Sequence, residues 1–124
     1  MPAYDIERYS PAAAVAAVSV RNVASGASVD EVSMVLDSGA DISALPKAVV
    51  DALTLAVGDR AYEVMAYDNS VRVCPTVRAE VVFMRGHFKG QFIVADQADG
   101  VLGRNILNHF IVTLDGPRLE WDVR

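Results

Sequence analysis

The chain contains a single cysteine, Cys74, among 124 residues. That excludes an internal disulfide and leaves no partner at zinc-ligand spacing, so a reducing compartment is expected. Only two histidines are present, His87 and His109, and no Gly-x-Ser-x-Gly elbow surrounds any serine, which argues against a serine hydrolase. There is no glycine-rich phosphate loop, and the acidic stretch Asp96-Gln97-Ala98-Asp99-Gly100 lacks the alternating oxygens and terminal glutamate of an EF-hand. No metal or cofactor is therefore expected. Nor is there a run of 18 apolar residues to cross a membrane. Met1 to Ala17 carries the acidic Asp5-Ile6-Glu7 instead of the basic start of a signal peptide, so the cytoplasm is the expected location. Positive charge is also short: 11 Lys and Arg stand against 16 Asp and Glu, a net charge of -5 that repels phosphate backbones and anionic lipid. Arg72, Arg78, Arg85 and Lys89 are spaced singly among apolar positions and read as a solvated strand face. Neither nucleic acid nor membrane is an expected partner.

What is present is a folded chain, 52% apolar and 22% charged, of a length that suits one domain. Residues 1–12 read as a polar lead and 13–124 as the domain. Ala13 to Val23 is small and β-branched, Ala24 to Ser28 supplies turn residues, and Val29 to Leu36 returns as a strand apolar on both faces, delivering Asp37 to the interior. Pro46 suits the first turn of a helix over Lys47 to Leu53, because its missing N–H would be unpaired there anyway. Gly58-Asp59 reads as a turn. Ala61 to Tyr67 and Val71 to Val77 flank a polar tip, Asp68-Asn69-Ser70, and Val77 to Met84 pairs with Phe88 to Val94 across Arg85-Gly86-His87. Ile106, Leu107 and Phe110 have the spacing of one short helix, and a closing hairpin turns at Asp115-Gly116 with Trp121 on its apolar face. Six or seven short strands in so few residues predict an all-β fold.

The organising stretch is Met34-Val35-Leu36-Asp37-Ser38-Gly39-Ala40. An apolar strand runs directly into a carboxylate, which is costly to bury unless it is neutralised or hydrogen-bonded. The following hydroxyl and glycine supply a polar bridge and room for close backbone approach. Alone, Asp-Ser-Gly is also an ordinary turn. Here a second acid, Asp41, follows, and a hydrophobic-hydrophobic-glycine motif returns at Val101-Leu102-Gly103.

Together, Met34 to Leu45 (MVLDSGADISAL) and Val101 to Leu107 (VLGRNIL) resemble the retroviral-type aspartic proteases, the retropepsins, with motifs in matching order over residues 13–123. The resemblance implies a closed all-β acid protease barrel with one short C-terminal helix. It makes Asp37 catalytic, gives Ser38 the task of holding two active-site loops together, and sets Gly39, Ala40, Asp41 and Ile42 against substrate main chain. Arg104, beside Gly103, would support the loop through an ion pair with Asp41. The chemistry needs two carboxylates, yet Asp-Ser-Gly occurs once, so the second Asp37 must come from another copy in a homodimer acting on polypeptide. Tyr67, Asp68 and Asn69 would lie in the flap over the substrate, with Tyr62 a further candidate contact. The flap tip departs from the family in lacking glycine, and the chain adds a closing hairpin that could build the dimer interface with Trp121 near it. The competing reading is a catalytically inactive retropepsin-like module for dimerisation or peptide binding.

Overall fold

A computed structural model describes residues 2–65 and 68–124, with Arg60 by its backbone alone. In chain order the strands and helices are β1 (Val15–Arg21), β2 (Ser28–Leu36), β3 (Ala44–Pro46), α1 (Lys47–Leu53), β4 (Val57–Met65), β5 (Val71–Phe83), β6 (Gly86–Ala95), β7 (Gly100–Leu102), α2 (Arg104–Leu107), β8 (Val112–Asp115) and β9 (Glu120–Val123). The sheet runs β1-β2-β7-β3-β6-β5-β4, and β1 also pairs with β5. That extra pairing closes six strands into a barrel and leaves β4 outside it, hydrogen-bonded to β5.

Alternation explains the barrel wall. In β1, Ala16, Val18 and Val20 are buried while Ala17 and Arg21 face out; in β2, Val32 and Met34 complete the same inner layer. Gly26 supplies the φ of +78° needed in the β1–β2 turn, whose Gly26 N–H donates to the Asn22 carbonyl. The helix expected after Pro46 occupies Lys47–Leu53. At the closing seam Arg21 faces Glu80 across the β1–β5 ladder. The buried Glu80 carboxylate has Arg21, His87 and Lys89 within 3.5, 3.8 and 3.9 Å. Lys89, read as part of a solvated face, thus joins Arg21 in facing a buried carboxylate.

Two expectations change. The segments read as Val71 to Val77 and Val77 to Met84 form one 13-residue strand, β5, which runs through Pro75 without a break. Pro75, which lacks an N–H, is tolerated because it faces β4 at Ala61, whereas pairing with β6 begins at Thr76. Gly58-Asp59 is no turn but part of β4, where the register shifts between Val57 and Ala61. Gly58 is needed for closeness instead: a Cβ there would collide with Thr76 Oγ1 and lie 2.7 Å from Gln91 Oε1. Trp121, expected on the apolar face of the closing hairpin, is packed into the chain's own core. It is 2% exposed and stacks on Phe83 at 6.4 Å, and Phe83 in turn meets Phe110 edge-on at 5.3 Å.

The lead residues pair with the β8–β9 hairpin and with the residues just before β1. Ala3 bridges Glu120, the Tyr4 N–H donates to the Leu119 carbonyl, and Asp5 pairs with Ala13. No helix among the described residues is long and apolar enough to cross a membrane.

Candidate active site

Strand β2 ends at Leu36, and the backbone continues one step further in register: the Asp37 N–H donates to the Leu102 carbonyl at 3.0 Å, extending the parallel β2–β7 ladder. The chain then turns sharply, with the Ala40 N–H on the Asp37 carbonyl at 3.2 Å and the Gly39 N–H on Asp37 Oδ1 at 2.9 Å. A side chain at Gly39 would place Cβ only 3.0 Å from that same carboxylate oxygen. The interior position expected for Asp37 is not what forms, since its side chain is exposed. Its backbone is tied to the barrel while the carboxylate stands at the barrel's open end, so no desolvation cost arises within one chain.

The two motifs lock together behind this turn. Arg104 Nη1 donates to the Ser38 carbonyl at 2.7 Å, and the Arg104 backbone N–H to the Ala40 carbonyl at 2.8 Å. Gly103 is buried against the loop, where a Cβ would lie 2.8 Å from both the Ala40 carbonyl oxygen and the Ile42 carbonyl carbon. Any side chain there would push the Asp37 loop outward. The expected Asp41–Arg104 ion pair does not form: the guanidinium serves a carbonyl, and Asp41 Oδ2 instead accepts from Tyr62 Oη at 2.8 Å. That hydrogen bond is the main reason the Tyr62 phenol is pushed above its ordinary pKa. Tyr62 thereby ties β4 to the loop. Arg104→Gln should lower stability by about 1 kcal/mol through loss of a charged donor to Ser38, a shift of several degrees in thermal unfolding.

Two further residues were missed. Ser43 is fully buried; its N–H and Oγ both donate to Asn105 Oδ1, at 3.0 and 2.7 Å, and its Oγ accepts from the Gly103 N–H at 2.9 Å. This cluster stitches the residues after Asp37 to α2. The signal was a polar residue inside the apolar run Ile42-Ser43-Ala44-Leu45, and an asparagine following Gly103-Arg104.

A cleft of about 270 Å³ opens beside Asp37, walled by Ala40 and Ile42 of the loop, Val64 and Cys74 of the β4–β5 hairpin, and Ile93 and Val101 of the barrel. Arg72, Asp96 and Gln97 also line it. Of the expected contacts, Ala40 and Ile42 share this cleft with Asp37, whereas Asp41 is engaged by Tyr62. Tyr67 lies outside the described residues. Asp68 and Asn69 form the tip's own turn: Asp68 Oδ1 accepts from the Ser70 N–H at 3.0 Å and from Ser70 Oγ at 2.6 Å. The hydroxyl bond, then the amide bond, holds the Asp68 carboxyl below its usual pKa. Asn69 takes the left-handed φ of 65°, which explains how the tip turns without glycine.

A second cavity, about 250 Å³, lies on the other side of the loop among Leu36, Ser38, Leu107, Phe110, Val112 and Leu114. The Ser38 side chain is exposed here and makes no hydrogen bond among the described residues.

No protein-family model matches this sequence, and no curated protein matches it. Among solved structures, EIAV protease in complex with the inhibitor HBY-793 is similar, with a TM-score of 0.57 and 23% sequence identity over 86% of this chain and 91% of that one. At that identity the likeness is one of architecture. With the closed barrel and the pairing of its two loops, it establishes that the chain adopts the retropepsin-like fold of aspartic proteases.

Proposed function

We propose that the protein is an aspartic endopeptidase whose site is completed when two copies bring their Asp37 carboxylates together. The observation that carries this reading is the state of Asp37. Its backbone is pinned to β7, its carboxylate is exposed at a cleft, and it forms no ion pair among the described residues. A close carboxylate pair holds one proton between its members. The ionised member takes a proton from water, which attacks the peptide carbonyl; the protonated member donates to the carbonyl oxygen. The tetrahedral diol then collapses: the carboxyl that took the proton from water passes it to the departing amine as the C–N bond breaks, and a diol hydroxyl returns its proton to the other carboxylate as the carbonyl re-forms.

The second copy has a natural seat. Strand β8 has only β9 beside it among the described residues, so its outer edge is open. Leu114 is 59% exposed and, on the same strand face as Val112, borders with it the cavity that contains Ser38. Packing two such faces about a two-fold axis would bury this apolar surface and bring the paired Ser38 loops, and hence both Asp37 residues, to the axis. The β4–β5 hairpin would then act as a lid, with Val64 and Cys74 facing an extended polypeptide. The decisive experiment is cleavage of a diverse peptide library, from acidic to neutral pH, by wild-type and Asp37→Asn protein.

A further inference from the structure

We infer that the lead segment is a latch for the wall of the substrate cleft, with Arg8 and Tyr9 as positioning residues that act through Asp99. This rests on the protease reading and adds a part of the chain that neither loop motif contains.

The wall in question is the short connection from β6 to β7. Asp96 and Gln97 of this connection line the cleft beside Asp37, and Asp99 leads directly into Gly100–Leu102. From there the chain reaches Gly103 and Arg104, which brace the Asp37 loop. Residues 96–99 belong to no strand, so the sheet does not fix them. Asp99 is nevertheless buried, and both carboxylate oxygens are taken by the lead: Arg8 Nη1 donates to Oδ1 at 2.8 Å, and Tyr9 Oη to Oδ2 at 2.5 Å.

The lead is built to present these two groups. Its segment from Asp5 to Ala13 is closed at the base by the Asp5 N–H on the Ala13 carbonyl, 2.8 Å, and the Ala13 N–H on the Asp5 carbonyl, 3.3 Å. The Asp5 carboxylate accepts the backbone N–H groups of Glu7 and Arg8 at 3.1 and 2.9 Å, and Arg8 Nε at 2.8 Å. Arg8 is therefore held between two carboxylates, one ordering the segment and one belonging to the cleft wall. The base of the segment adjoins β1, and the Ala14 carbonyl accepts the Leu36 N–H at 3.0 Å, one residue before Asp37. The wall and the catalytic strand are thus referenced to the same anchor. A carboxylate gripped by a guanidinium and a phenol, both charge-assisted hydrogen bonds, resists displacement better than an unpaired loop would.

Such a wall meets substrate in ground and transition states alike, so loosening it should raise KM and spare kcat. We expect Tyr9→Phe and Arg8→Gln to raise KM by about five- to tenfold with kcat within about twofold of wild type. Amide hydrogen exchange over residues 97–101 should quicken by a similar factor while exchange in β1 and β2 is unchanged. An active wild type whose two variants keep its KM, or whose variants lose kcat alone, overturns the latch and leaves the protease reading standing. Unchanged exchange at 97–101 in the variants also overturns it. A wild type that cleaves nothing removes the protease reading and the latch together.

Discussion

Asp37→Asn should lower kcat/KM by at least about 10³-fold, within or beyond the range usual for loss of a general acid–base group. In a symmetric dimer one substitution removes both carboxylates, so no partner remains to hold the shared proton. Asparagine keeps the size of the side chain, and its Oδ1 can still accept from Gly39, so the loop should remain folded. Thermal unfolding within a degree or two of wild type would confirm this. Peptide-library cleavage from acidic to neutral pH supplies the readout. Retained cleavage in the variant would remove Asp37 from its role, and equal inertness of both proteins would favour a peptide-binding or dimerising module.

Leu114→Glu tests the other half of the proposal. Its 59% exposure means that the isolated chain gains little from it, and the substitution should change monomer stability by no more than about 0.5 kcal/mol. Across a two-fold axis the same change removes apolar burial twice and adds two like charges. Burial of a leucine contributes roughly 1.5–3 kcal/mol, so dimer affinity should fall by at least about 100-fold. Sedimentation at micromolar concentration should show the wild type as dimer and the variant as monomer. Wild-type activity should rise more steeply than linearly with concentration. A Leu114→Glu protein that dimerises normally would place the interface elsewhere, and a wild type that stays monomeric and shows linear activity would end the shared-carboxylate argument for this chain.

The parts of the fold that could be read in the sequence were those written in local patterns. Small and β-branched residues located β1, Pro46 located α1, and the two loop motifs together pointed to a closed barrel. What could not be read depended on which tertiary neighbour a group would find. Asp41 and Arg104 are opposite charges in matched motifs, but a guanidinium five donors wide is equally served by a carbonyl, and Asp41 met a phenol arriving from β4. Gly58 looked like punctuation because crowding by Thr76 and Gln91 is invisible along the chain. Trp121 could be placed on an apolar face, but nothing along the chain marks the Phe83 and Phe110 rings that it meets there. Asp99 looked like one more loop acid, since its two partners lie about ninety residues earlier.

The single long strand β5 has a mechanical consequence. Among the described residues its stretch from Val71 to Pro75 has β4 alone beside it, and from Thr76 onward it is clamped by β6 and then by β1. It is a cantilever, built in at the barrel with Thr76 at the root. A load on the tip is carried by bending a two-stranded ribbon, so deflection grows toward residues 68–70 and vanishes near Thr76. Tyr62, joined to Asp41 partway along, acts as a stay that shortens the free span. A force applied to the hairpin would therefore be delivered to the loop that carries Asp37.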